Sequence, residues 1–172
     1  MAIDTQRLIR IGQAKLKDQA AWKEGVSLER ASGLTIDALR VRVATARFHL
    51  AKEMRGYSSF AMTSGRPLYR LAISRAYYFM YHSIRAAAYL HYGGDDHQQH
   101  SDLPQKVPLD FPDRAKWGNQ LKSAREYRNQ ADYDPYPKST KYWKQVAQLV
   151  TSDANALAPI TMAYLRAKGC NL

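Results

Sequence analysis

Apolar residues along this 172-residue chain recur mostly three and four positions apart, the spacing that places side chains on one face of an α-helix. No segment combines strict apolar–polar alternation with hairpin turns, as strands of a half-buried sheet would. We therefore predict an all-α protein, an antiparallel bundle of four or five helices. The helices are expected over residues 4–22, from Asp37, from Pro67 to about Leu90, from Asp113, and from Ser139 or Thr140.

The first half of the chain contains one weak helix and one well-patterned helix. Residues 4–22 have poor apolar periodicity, whereas Asp37 is a suitable N-cap for a helix whose apolar face follows. That face consists of Leu39, Val43, Ala46 and Leu50. Residues 56–67 are predicted to form a loop. We divide the chain into an N-terminal helical extension, residues 1–35, and the bundle, residues 36–169.

The helix from Pro67 is apolar around most of its circumference, which predicts a central position in the bundle. Gly93 and Gly94 are expected to end it. One stripe is nevertheless polar, at intervals of three and four residues: Arg75, Tyr78, His82, Arg85 and Tyr89. On a helix of this kind such a stripe is paired inside the bundle, lines a cleft or forms an interface.

The second half contains a long irregular segment and two further helices. Residues 91–112 carry three prolines and are predicted to be either disordered or functional. In the next helix Arg128 continues the line of Trp117, Leu121 and Ala124, so an arginine takes a core-facing position. A turn at Pro135 and Pro137 precedes the last helix. Its Pro159 is expected to kink or restart it.

Charge and composition narrow the functional classes. The chain has 26 basic and 15 acidic residues, a net charge of +11, which favours a polyanionic partner, with RNA or DNA first and an acidic membrane surface second. No apolar stretch is long enough to span a membrane, and the N-terminus lacks the apolar run of a secretory signal. Cys170 is the only cysteine, so no disulfide framework exists. We expect a cytoplasmic protein.

Few catalytic motifs are available. No glycine-rich phosphate loop, HExxH helix or GxSxG elbow occurs. His97 and His100 in HQQH lack an acid or thiolate at ligand spacing, so we predict neither a metal site nor a cofactor. The segment REYRNQADYDPYP therefore draws attention. Its Arg128 and Asp132 stand one helical turn apart and can form an ion pair.

Two segments carry a family resemblance. SRAYYFMYHSIRAAAYL (74–90) and, further on, REYRNQADYDPY (125–136) resemble the HEPN superfamily, in particular its small bacterial and archaeal proteins with an SRAYYAxFH-like helix and a later RxxADY. The resemblance covers about residues 37–166. It implies a HEPN-like helical bundle, often a homodimer formed through the motif-bearing helices. It also implies a metal-independent endoribonuclease of toxin–antitoxin or defence systems.

The resemblance also implies roles for individual residues. The family motif is an Arg, a polar residue and then a His, and Arg128 with Asn129 fits its start, whereas Tyr133 stands at the histidine position. The Arg holds the scissile phosphate and the His exchanges a proton with the ribose 2′-OH. A nucleotidyltransferase antitoxin attaches AMP to a nearby tyrosine in some family pairs, and Tyr136 lies one residue beyond that place. A partner of this kind is therefore also expected.

Three interpretations remain open at the level of sequence. In the first the chain is a ribonuclease, with His82 or Asp132 as the base and Tyr133 as a binding group. In the second it is a non-catalytic module that binds RNA or a nucleotide, or a partner subunit of a nucleotidyltransferase. In the third, Arg128 and its neighbours only fix helix packing. In the first two, the RNA contacts are expected from Arg75, Tyr78, Arg85 and Arg125.

Overall fold

A computed structural model describes residues 4–136 and 138–172, and within these ranges it contains helices and no β-strand. This confirms the predicted all-α bundle. The α-helices of the described chain are α1 (Thr5–Gln13), α2 (Leu16–Ser32), α3 (Ile36–Thr63), α4 (Tyr69–Tyr92), α5 (Arg114–Tyr133) and α6 (Thr140–Ala167). A 3₁₀ helix, Leu103–Lys106, lies between α4 and α5. None of the helices described is long and apolar enough to cross a membrane.

The chain divides into two compact units between Leu39 and Arg40, whereas we predicted a boundary between residues 35 and 36. In the first unit, the predicted single helix over 4–22 is wrong. Ala14 and Lys15 adopt extended backbone and separate α1 from α2. The side-chain amide of Gln19 donates to two carbonyl groups at the end of α1, each at 3.3 Å. It thus replaces helical hydrogen bonds that are lost at the break.

The start of α3 also differs from the prediction. Asp37 is not its N-cap, because the helix already begins at Ile36. The hydroxyl of Thr35 accepts a hydrogen bond from the amide of Ala38 at 3.2 Å, and the carboxylate of Glu29 accepts one from Ile36 at 2.8 Å. These two side chains satisfy donors of the first turn, so capping by Asp37 is unnecessary.

The buried face of α3 is not the predicted one. Val43 and Leu50 are each 39% exposed, whereas the residues that enter the core are Ala44, Phe48, Ala51, Ser58 and Ala61. Four of these five are small, and their burial packs this face of α3 into the core. The same packing explains why the predicted loop over 56–67 is helical as far as Thr63. The Ser58 hydroxyl donates to the carbonyl of Ala72 in α4 at 2.9 Å, so tertiary contacts outweigh local propensity.

In the second unit α4 is the central helix, as predicted, and it contributes the largest set of buried residues. Arg70 near its start donates to the carbonyl of Ala131 near the end of α5 at 2.6 Å, so these helices run antiparallel. Gln120 in the first half of α5 donates to Asp153 in the middle of α6 at 2.9 Å, so these two helices are also in contact. Helix α4 begins two residues after Pro67 and ends at Gly93, which has a φ of 86°.

The segment between α4 and α5 is ordered by its own apolar residues. Leu103, Val107 and Phe111 are buried in the core of the bundle. A Cβ atom on Gly118 of α5 would lie 2.6 Å from the carbonyl oxygen of Pro104, so glycine permits this close approach. Further on, Pro137 of the predicted turn lies outside the described residues. Helix α6 passes Pro159 without interruption, so the predicted restart does not occur.

Candidate phosphate-binding site around Arg128

Arg128 is the centre of the candidate site. It lies on α5 at the core-facing position that the line of Trp117, Leu121 and Ala124 predicts, and it is only 6% exposed. Burial of an arginine requires compensation, because its guanidinium remains charged in proteins. The surroundings of this one side chain therefore decide what the site can bind.

Three tyrosine rings surround the guanidinium. Its Cζ atom lies 5.1 Å from the ring centre of Tyr77, 5.4 Å from that of Tyr78 and 5.8 Å from that of Tyr133. The first two rings come from α4, and the third comes from the last turn of α5 and is 73% exposed. Cation–π contacts of this kind stabilise a cation without neutralising its charge.

Hydrogen bonding to the guanidinium is sparse. Its Nη1 donates to the hydroxyl of Tyr133 at 3.4 Å, and its buried Nε has no hydrogen-bond partner among the described residues. Its Nε lies 3.9 Å from Oδ2 of Asp132, which is within ion-pair range but too long for a hydrogen bond. That carboxylate instead accepts from the hydroxyl of Ser74 at 3.3 Å. The Nε–H donor of Arg128 thus lacks a protein acceptor, although the side chain is buried.

The segment between α4 and α5 adds His100 to the site. Its Nδ1 lies 2.5 Å from the hydroxyl oxygen of Tyr77, the same residue whose ring contacts Arg128. Its ring stacks on Tyr81 at 4.1 Å between centres and meets the edge of Tyr78 at 6.1 Å. His100 and Arg128 therefore share two tyrosine neighbours.

His82 is a second histidine at the edge of the cluster. Its ring stacks on Tyr78 at 6.2 Å, but it makes no direct contact with Arg128 among the residues that the structure describes. Burial, together with the positive charge of Arg85, lowers the pKa of His82 to about 4. Its imidazole is therefore neutral at neutral pH.

The same environment shifts the pKa of the two groups that share the short hydrogen bond. Burial, reinforced by the charges of Arg128, Arg125 and Arg85, lowers the pKa of His100 below its usual range. Burial raises the pKa of Tyr77 to about 12, although Arg128 acts in the opposite direction. At neutral pH the site therefore holds neutral imidazole, protonated Tyr77 phenol and guanidinium cation.

The other predicted site residues are distributed around this cluster. Arg125 is half-buried on α5 and has no hydrogen-bond or ion-pair partner among the described residues, whereas Asn129 is exposed. On α4, the Nη1 of Arg75 lies 3.8 Å from the sulfur of Met54, and Arg85 forms an ion pair with Asp95. Arg75 and Arg85 thus make other contacts. The predicted site residues that the structure brings together are Arg128, Asp132, Tyr133 and Tyr78, with His82 beside them.

Sequence reasoning missed Tyr77 and His100. Tyr77 lies outside the polar stripe of its helix, and its ring and hydroxyl reach the site because α4 and α5 lie side by side. His100 was considered only as a metal ligand. The length of the 91–112 segment was the one signal of function there, and it does not specify a residue.

Comparisons with known proteins leave the family open. No protein-family model matches this chain, and no curated protein matches it either. Among the described residues, no group of three or more His, Cys, Asp or Glu side chains is arranged to hold a metal ion.

Proposed function

We propose that this chain is a HEPN-type protein directed to RNA, a metal-independent endoribonuclease of the toxin or defence class that acts as a homodimer. The observation that carries the proposal is the guanidinium of Arg128. It is buried among three tyrosines, and no carboxylate lies within hydrogen-bonding distance of it. A buried cation with unused donors favours an anionic ligand that brings its own acceptors.

The distribution of charge supports RNA as the source of that anion. The unit over Arg40–Leu172 contains 20 of the 26 basic and ten of the 15 acidic residues, so nearly all of the net charge lies in the unit that holds Arg128. A phosphodiester group offers two oxygens to the fork of an arginine. The rings of Tyr78 and Tyr133 beside it suit stacking by an unpaired base.

The chemistry assigned to the site is transesterification within the RNA strand. The ribose 2′-OH loses a proton to a base in the site, and its oxygen attacks the adjacent phosphorus. The bond from phosphorus to the 5′ oxygen breaks, leaving a 2′,3′-cyclic phosphate and a 5′-OH. Arg128 stabilises the negative charge that grows on the phosphate oxygens during this step.

Cleavage of single-stranded RNA in EDTA tests the proposal. The wild-type protein should cleave it, and Arg128→Lys should lose about 100-fold or more in rate, because lysine keeps the charge but not the planar fork. Arg166→Lys is the matched control, since Arg166 is exposed in the last turn of α6, where it donates to the carbonyl of Leu172. Melting temperatures exclude unfolding. A wild-type protein that leaves RNA intact, or an unaffected Arg128→Lys, would show that this function is wrong.

A second function is favoured by Tyr133, which stands at the histidine position of the family motif. The hydrogen-bond partner of Arg128 there is the phenol of Tyr133 and not an imidazole. This supports a non-catalytic module that binds RNA or a nucleotide, or a partner of a nucleotidyltransferase. Strongly salt-dependent RNA binding by the wild-type protein, without cleavage, would favour this alternative.

The resemblance implies a homodimer through the motif-bearing helices, whereas the exposed apolar residues that support a dimer lie on α3. Val43, Leu50 and Tyr57 are exposed apolar residues seven positions apart, the spacing of a helix–helix seam, and Phe60 extends the line. We expect sedimentation to give a dimer at protein concentrations on the order of tens of micromolar. Leu50→Glu should shift it to monomer, and the exposed Leu149→Glu on α6 should not. A wild-type monomer would contradict the dimer.

A further inference from the structure

The segment between α4 and α5 holds His100 in a fixed position at the site. On one side of it, the hydroxyl of Tyr81 donates to the carbonyl of Gln98 at 2.5 Å. On the other side, the amide of Leu103 donates to the carbonyl of Gln99 at 3.1 Å, and the Leu103 side chain is fully buried. A group anchored in this way is oriented before any substrate arrives, as proton transfer requires.

We propose that His100, supplied by this segment, exchanges the proton of the ribose 2′-OH during RNA cleavage and so does the work that Tyr133 cannot do from the motif position. The inference rests on the proposed ribonuclease function and names a catalytic residue of the same site. A phenol is a poor proton acceptor at neutral pH, whereas an imidazole suits the task.

His100 is better placed for this role than His82. The Tyr77 hydroxyl holds Nδ1 of His100, and the Nε2 atom has no hydrogen bond among the described residues, so it remains available to substrate. The ring of Tyr77 also contacts Arg128, which binds the phosphate in the proposed function. Among the described residues His82 has ring contacts and no hydrogen bond, and its pKa of about 4 makes it a weaker base.

The reaction needs one of the two tautomers that the Tyr77 contact allows. When Nδ1–H of His100 donates to the hydroxyl oxygen of Tyr77, Nε2 carries a lone pair. That nitrogen takes the 2′-OH proton as the 2′ oxygen bonds to phosphorus. The departing 5′ oxygen takes a proton from solvent, and His100 returns its own proton to solvent. Protons and electron pairs therefore balance over one turnover.

Burial of His100 and the charged groups around it determine the pH dependence of this step. Three cations face His100: Arg128 and Arg125 from α5 and Arg85 from α4. The neutral groups that face it are Tyr77, Tyr81 and His82. Burial and these cations disfavour the imidazolium and lower the pKa of His100. The rate should therefore fall on the acid side with an apparent pKa below about 6.5, the ordinary value for histidine.

Two histidine variants test the inference. In EDTA at pH 7, His100→Ala should lower kcat by about 100-fold or more while RNA affinity stays near that of the wild type. Added free imidazole should restore part of the rate, which a merely structural role would not allow. His97→Ala is the matched control, because His97 lies three residues away and contacts Tyr92 instead. Its rate should equal that of the wild type.

The outcomes separate this inference from the proposed function. If the wild-type protein cleaves RNA and His100→Ala cleaves equally well, the inference is wrong and the ribonuclease stands. If the wild-type protein does not cleave RNA, the proposed function itself fails. Should His100→Ala melt early, His100→Gln keeps the size and a hydrogen bond to Tyr77. That folded variant must then be inactive, since retained activity in it would also contradict the role of His100.

Discussion

Two arginines of the same bundle, Arg85 on α4 and Arg128 on α5, have similar neighbours and opposite electrostatic situations. Each contacts tyrosine rings and each has one carboxylate nearby. Arg85 makes a two-pronged contact with Asp95, whose carboxylate also accepts from Arg47 at 2.8 Å. Arg128 stays 3.9 Å from Asp132 and makes no hydrogen bond to it.

The difference in carboxylate contacts shows that Arg85, and not Arg128, already has its hydrogen-bond acceptors within the protein. The hydrogen bonds of Arg85, together with the charge of Arg47, lower the pKa of Asp95 below its usual range, so this carboxylate is ionised and its charge is used within the protein. Asp132 gives no comparable compensation to Arg128, which is the more deeply buried of the two arginines. We infer that the Arg85 cluster stabilises the fold and that Arg128 is kept for a ligand.

The largest effect on stability should come from removing the carboxylate of the satisfied cluster. Asp95→Asn should lower the free energy of unfolding by about 1.5–3 kcal/mol, the range for hydrogen bonds to charged groups. Asp132→Asn is the matched control, because the two side chains are similarly exposed, 31% and 29%. We expect it to cost under about 1 kcal/mol. Urea denaturation at pH 7 measures both, and equal losses would remove the contrast.

The pH dependence of the free energy of unfolding tests whether the ionised Asp95 carboxylate causes the difference. Because the folded-state pKa of Asp95 is lowered, its contribution is present above the unfolded value of about 3.9 and is lost as pH falls through the folded value. The difference between wild type and Asp95→Asn should thus shrink below about pH 4. Asp110, whose pKa a hydrogen bond from Lys168 lowers to about 2, is present in both proteins, so its effect cancels.

The contrast between the two arginines explains what sequence could and could not predict. Helical spacing correctly placed Arg128 at a core position, because α5 keeps one period along its whole length. The same spacing predicts RNA contacts from both Arg85 and Arg75, because it gives the face on which a polar residue lies and not the partner of its side chain. The partner of Arg85 is Asp95, in the segment after α4, and helical periodicity gives no information on where such a segment returns.

The same limit applies to His100 and to α3. The position of His100 depends on where Leu103 is buried, a tertiary contact that local sequence does not reveal. On α3 two stripes of apolar residues compete, and small side chains such as Ala44 and Ala51 were buried in preference to Val43 and Leu50. Packing distance, and not hydrophobicity alone, decides that choice.

The smallest expected effect is on the salt dependence of RNA binding, and it compares two half-buried arginines. Arg47 has an ion-pair partner, and Arg125 has none among the described residues. Arg125 is close enough to His100 and Tyr77 to lower the pKa of both groups, and it has no ion pair among the described residues. Arg47 is paired with Asp95. If the unpaired cation contacts a phosphate, Arg125→Ala should reduce the slope of log affinity against log salt by about 0.7 for single-stranded RNA.

Arg47→Ala removes the same charge from the whole protein and should leave that slope unchanged, because hydrogen bonds to Asp95 already occupy the Arg47 guanidinium. Fluorescence anisotropy with a short single-stranded RNA, titrated at several salt concentrations, measures both slopes. Equal reductions would mean that net charge alone drives binding. A reduction confined to Arg125→Ala would instead locate the RNA backbone beside Arg128, on the side of the bundle where the guanidinium has no carboxylate of its own.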